Sequence, residues 1–264
     1  MKILFFYTSY RQVKEFDYQA RFLERCPQLV DWADMLWFCN NIALPHSILE
    51  EKLAAMPFRK KTLIHKDVNQ GGYARGQFEV LASQEDVTSE YDFVIHLHPD
   101  IFVARESDLV SLLKTFEETN IGFLVSRIFG NADPSFATDF FIYRPKFVPH
   151  RFFLDYLKYD TSIKTPLEQV LYRNIHDSET PYAEFTRFIL GKYHRDIDQM
   201  GLWHEHQLNR IELFLRHPLL RYAYTAHRCI LHNPRLTAGI TRDYLLRSLR
   251  KQPQDSILKL LSVT

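Results

Sequence analysis

Phe93-Val94-Ile95-His96-Leu97 is a nearly unbroken apolar run, and His98-Pro99-Asp100 follows it at once. A run of this length and composition fits a strand buried on both faces of a sheet, and such a sheet must be covered by helices on both sides. Pro99 removes a ladder donor, so the strand should end there and leave His98 and Asp100 at its C-terminal edge. In an open α/β sheet that edge is where ligands bind. An imidazole and a carboxylate two residues apart in such a place are candidate ligand-binding groups, both able to coordinate a metal. They are expected to look into an open crevice.

The segments around this run fit the same architecture. Residues 2–7 read as a first buried strand, and Thr8-Ser9-Tyr10 as the loop leaving it. Hydroxyls in that loop suit a nucleotide base or ribose, but by themselves they read first as a helix cap. Residues 13–26 carry Phe16, Ala20 and Leu23 at helical spacing. A strand over 34–39, a helix over 45–56 and a strand over 61–65 complete a β-α-β-α-β order. That order predicts an α/β fold with a mostly parallel central sheet flanked by helices. Further on, a helix over 107–118 capped by Ser107, strands over 121–126 and 136–145, and a helix opening at Pro166 are expected. From about residue 149 the pattern is mainly helical. The 264 residues are therefore read as one domain with two halves, 1–148 and 149–264.

Residues 69–78 concentrate three of the eight glycines within six positions. Their spacing matches neither the dinucleotide fingerprint nor the phosphate loop. The stretch offers a flexible loop, the guanidinium of Arg75 and then a helix over 76–84, which would suit a diphosphate. A glycine-rich turn with an exposed arginine is the equal alternative.

Composition narrows the function classes. With 46% hydrophobic and 25% charged residues the chain is a folded protein, and a net charge of +1 gives no footprint for nucleic acid. Cys26, Cys39 and Cys229 are three, far apart and without a CxxC pair, which favours a reducing compartment. Neither a signal peptide nor a membrane-spanning run is found, so a cytoplasmic protein is expected. The C-terminal third holds His204, His206, His227 and His232. His204 and His206 do not share a helix face, so as a pair they would need extended backbone. Residues 241–262 form an amphipathic basic segment interrupted at Pro253, which closes the domain or makes a peripheral membrane contact.

Taken in order over residues 1–175, these pieces resemble the nucleotide-sugar-dependent glycosyltransferases of the GT-A type. The first strand ends in Thr8-Ser9, Gly71 to Gln77 lead into a helix, and the apolar strand ends in His98-Pro99-Asp100. Thr138-Asp139-Phe140-Phe141-Ile142-Tyr143-Arg144-Pro145 follows, and then Glu168-Gln169. The family normally has Asp-x-Asp at the strand end, and His98 takes the first position here. The resemblance implies sugar transfer from a nucleoside diphosphate sugar to a glycan, lipid-linked or other hydroxyl acceptor. It implies donor contacts from Thr8, Ser9, Arg75, Gln77, His98 and Asp100.

A divalent metal at His98 and Asp100 is implied too, with His232 as a third ligand. The imidazole–carboxylate pair suits Mn2+ better than Mg2+. Without a metal, Arg75 would carry part of its role. Asp139 and Glu168 are the candidate bases for the acceptor hydroxyl, although a strand-start cap and a first-turn helix carboxylate are the plainer explanations of the two. Two rivals remain, a nucleotidyltransferase that makes the activated sugar and a member of the fold that binds sugar nucleotide or glycan without turnover. Against the first, no glycine-rich loop bearing Lys or Arg directly follows the first strand.

Overall fold

The computed structural model describes residues 1–10, 12–41, 43–66, 73–126, 128–130, 134–148, 153, 167–184, 202–204, 211 and 215. By internal contacts the chain divides into two compact units, Met1–Leu208 and Asn209–Thr264. Of the second unit Ile211 and Leu215 are described, and both are helical and buried. His206, His227, His232 and the segment 241–262 lie outside the described residues.

The first unit begins β1 (Ile3–Ser9), α1 (Glu15–Leu23), α2 (Pro27–Trp32), β2 (Ala33–Cys39), α3 (His46–Ala55), β3 (Lys61–His65), α4 (Tyr73–Ser83), α5 (Glu85–Thr88) and β4 (Phe93–Leu97). It continues β5 (Ile101–Val103), α6 (Glu106–Glu117), β6 (Phe123–Val125), β7 (Ile128–Phe129), β8 (Ser135–Phe136), β9 (Phe140–Tyr143), α7 (Leu167–Asp177), β10 (Tyr182–Glu184) and β11 (Leu202–His204). Seven strands form the central sheet in the order β10-β6-β9-β4-β1-β2-β3. β1 pairs in parallel with β2 and β4, β2 with β3, and β6 with β10. β9 pairs antiparallel with both β4 and β6, so it alone runs against the other six. The mostly parallel, helix-flanked sheet expected from the alternation is what forms.

Two-residue periodicity divides each strand between two apolar layers. Ile3, Phe5 and Tyr7 cluster with Phe16, Ala20 and Leu23 of α1 and with Leu109, Leu112, Leu113 and Phe116 of α6. Leu4 and Phe6 cluster instead with Phe78 and Leu81 of α4 and with Val170, Leu171 and Ile175 of α7. Every residue of β1 and β4 is buried, which is why both read as continuous apolar runs. Among the described residues no helix is long and apolar enough to cross a membrane.

Several expected boundaries move, each for a local reason. β1 runs on through Thr8 and Ser9, because β2 keeps pairing with it to the Ser9–Cys39 register position. The helix expected over 13–26 breaks into α1 and α2, with Pro27 opening the second at a position where its missing N–H is harmless. α4 begins at Tyr73, earlier than expected. Arg105, without a side-chain cap, occupies the N-cap of α6, and Ser107 instead donates to Asp108 Oδ1 at 3.3 Å. The strand expected over 136–145 is two strands. β8 pairs with β7, and β9 enters the main sheet.

Candidate functional site

The turn after β4 is closed by the Ile101 N–H, which donates to the His98 carbonyl at 3.0 Å. Proline suits the second position of such a turn because its fixed φ matches the backbone required there. β5 then leaves the main sheet and pairs antiparallel with β11, with Ile101 opposite His204. β11 ends at His204, and His206 lies outside the described residues.

The His98 N–H donates to the Asp139 carbonyl at 3.1 Å, one step beyond the Leu97–Phe140 pair of the β4–β9 ladder. Asp139 thus sits across from His98, its Oδ1 accepting the Phe140 N–H at 3.1 Å. His98, Asp100 and Asp139, read separately from the sequence, are gathered at the C-terminal edge of the parallel strands. Thr8 arrives at the same level from β1, one residue past the Tyr7–Leu97 pair.

His96 lies directly behind this edge and is fully buried. Its ring stacks on Phe141 with centroids 4.5 Å apart and meets His98 edge-on at 5.4 Å. Its Nε2 lies 2.9 Å from Thr8 Oγ1, while Nδ1 meets no hydrogen-bond partner among the described residues. Burial holds the imidazole well below the ordinary histidine range, and His98 pushes the same way; the Thr138 backbone opposes both without prevailing. His96 is a neutral core histidine that braces Thr8.

The hydroxyls at the end of β1 are already engaged. Ser9 Oγ accepts the Trp37 indole N–H at 2.8 Å, and both Thr8 and Ser9 are buried. Neither caps α1, whose N-cap is Lys14. The open crevice expected around the turn is closed over Asp100, which is 5% exposed, while His98 is half-buried. A cavity of about 310 Å³ does occur at the other end of the sheet, where Glu90, Tyr91, Asp92 and Phe93 meet Glu117, Arg144 and Lys146.

The remaining expected site residues are placed less fully. Arg75 and Gln77 fall in the first turns of α4, and their side chains lie outside the described residues, as does His232. Glu168 is the second residue of α7, half-buried, on a helix that packs against β8. Among the described residues no group of three or more His, Cys, Asp or Glu side chains is arranged to hold a metal ion.

Gln19 was missed. It lies on α1 with no exposed surface, and its Nε2 donates to the carbonyls of Pro99 at 2.9 Å and Ile101 at 2.7 Å. The signal was present as a polar residue on the apolar stripe of α1, three residues after Phe16 and four before Leu23.

No family model matches the chain, and no curated protein matches it. Among solved structures it is similar to a mannosyltransferase from Pyrobaculum calidifontis in complex with GDP-Man and Mn2+, 11% identical, covering 69% of this chain and 54% of that one with a TM-score of 0.49. It is similar to the glycosyltransferase GlyE of Streptococcus pneumoniae, 12% identical, over 70% of this chain and 45% of that one with a TM-score of 0.47. It is also similar to 4-diphosphocytidyl-2C-methyl-D-erythritol synthase from Anaerococcus prevotii, 8% identical, over 75% and 94% of the two chains with a TM-score of 0.46. The chain spans about half the length of the first two. At these identities the likeness is one of fold alone.

Proposed function

We propose that the chain is a glycosyltransferase that takes a sugar from a nucleoside diphosphate sugar and passes it to a hydroxyl of a glycan or lipid-linked acceptor. One observation carries this reading. The turn after β4 sets an imidazole and a carboxylate, with the carboxylate of Asp139 across the ladder, at the sheet edge where open α/β folds bind ligands.

In the transfer the bond between the anomeric carbon and the diphosphate oxygen breaks, and its electron pair leaves with the nucleoside diphosphate. The acceptor oxygen bonds to the same carbon while its proton passes to a base. The buried carboxylate of Asp100 and the half-buried imidazole of His98, held in one closed turn, fit Mn2+ better than Mg2+. These two residues would hold the ion, with His232 as a third ligand, and bound there it would neutralise charge on the diphosphate. Arg75 supplies further positive charge, and Thr8, Ser9 and Gln77 complete the donor contacts. Asp139 and Glu168 are the proposed bases. The activity belongs in the cytoplasm, at the inner face of a membrane where the acceptor is lipid-linked.

The test is release of nucleoside diphosphate from a panel of UDP-, GDP- and dTDP-sugars, with and without Mn2+. Release from one donor, lost in Asp100→Ala at an unchanged melting temperature, is the expected result. Pyrophosphate release would identify a nucleotidyltransferase, and binding without turnover a non-catalytic member. Either outcome, or full activity in Asp100→Ala, overturns the proposal.

A further inference from the structure

We infer that Gln19 is the positioning residue of the site, setting the backbone of the turn that carries His98 and Asp100; this rests on the transferase reading above. α1 contributes no residue to the edge itself. Gln19 nevertheless reaches across to it from a position with no solvent exposure. One nitrogen bonds the carbonyls on either side of Asp100, Pro99 at 2.9 Å and Ile101 at 2.7 Å. The two carbonyls decide which end of the amide faces the turn, and the amide oxygen at the other end accepts the Tyr7 hydroxyl at 3.3 Å.

The chemistry requires a carboxamide. Two carbonyls two residues apart need two donors from one point, and the Tyr7 hydroxyl needs an acceptor, which only a side-chain amide supplies without charge. A carboxylate in the same place would set oxygen against oxygen at both contacts. The carbonyls of residues 99 and 101 are thereby fastened to α1, while the Ile101 N–H closes the turn on His98 at 3.0 Å. Asp100 sits between two fixed peptide planes. A carboxylate that must meet a diphosphate, directly or through an ion, loses affinity when its backbone drifts by a fraction of an ångström.

A purely structural glutamine would satisfy the same two carbonyls, so the test must read the diphosphate apart from the rest of the ligand. Titration calorimetry with Mn2+ present would compare UDP, GDP and dTDP with uridine, guanosine and thymidine, for the wild type and Gln19→Met. For the nucleotide that the wild type binds, the variant's Kd should rise about tenfold or more, while its Kd for the matching nucleoside stays within about twofold. Equal weakening of nucleotide and nucleoside, or no weakening in a folded variant, overturns the positioning role. Failure of the wild type to bind any of the three nucleotides overturns instead the reading on which the role rests. If Gln19→Met does not fold, Gln19→Asn carries the test. It keeps an amide but, one methylene shorter, draws it back from both carbonyls, and it should weaken the nucleotide alone by about threefold; an unchanged nucleotide Kd in this variant refutes the role.

Discussion

His96 gives the sharpest stability prediction. The ring is fully buried between Phe141 and Phe6, with a hydrogen-bond partner at Nε2 and none among the described residues at Nδ1. Burial strips the charge of an imidazolium of its water, and His98 beside it opposes a second positive charge, so the site favours the neutral ring. The native pKa therefore lies well below 6.5, whereas the unfolded chain titrates near that value. Protons bind the unfolded state first, so this contribution to stability is complete above about pH 6.5 and is lost as the pH falls. Integrating the linkage from pH 7.5 to 5, with the native ring still neutral, gives a loss of about 2 kcal/mol. For an m-value of roughly 2–3 kcal/mol/M in urea, the unfolding midpoint would drop by about 0.7–1 M.

Other histidines also titrate, so the assay is a comparison with Thr8→Val/His96→Phe. That double variant replaces both hydrogen-bonding partners by apolar groups of similar shape, leaving neither orphaned. Urea unfolding of both proteins at half-unit steps of pH should show the wild type losing about 2 kcal/mol more than the variant by pH 5. Parallel curves would refute the argument that His96 is held neutral.

Three further outcomes follow from the fold. A Cβ at Gly122 would lie 2.9 Å from Phe147 Cβ and 3.0 Å from Thr180 Cγ2, so Gly122→Ala should cost about 1–3 kcal/mol by urea unfolding, and an unchanged midpoint would contradict the close approach. Arg144 Nη1 donates to the carbonyls of Phe116 at 3.3 Å and Thr119 at 2.7 Å, with its guanidinium 4.3 Å above the Phe147 ring. Arg144→Met removes the guanidinium from the Thr119 carbonyl, while the Phe116 carbonyl keeps the Thr119 N–H at 3.1 Å and Oγ1 at 2.8 Å, and should cost about 1–2 kcal/mol, read the same way. Burial, reinforced by Glu106, pushes the Cys26 thiol up to about 12, and burial also raises Cys39. Iodoacetamide at pH 8 should reach both only on unfolding, and native-state labelling found by peptide mapping would count against that packing.

What the sequence determined by itself was the set of local signals. The apolar runs of β1, β2, β3 and β4, the helical stripe of α1 and the proline after β4 act over a few residues, and they sufficed for the fold class and for His98 and Asp100 as edge residues. Tertiary structure alone decided the contacts between distant segments. β9 enters beside β4 in reverse, which brings Asp139 to His98. β5 leaves the main sheet for β11, and β1 runs to Ser9 because β2 extends alongside it. Thr8 meets His96 across 88 residues, and Gln19 meets Pro99 across 80. Periodicity tells which side of a strand or helix is buried, but not which partner buries it. That choice is made when the whole sheet assembles, so the closure over Asp100 and the amide beneath its turn belong to the fold.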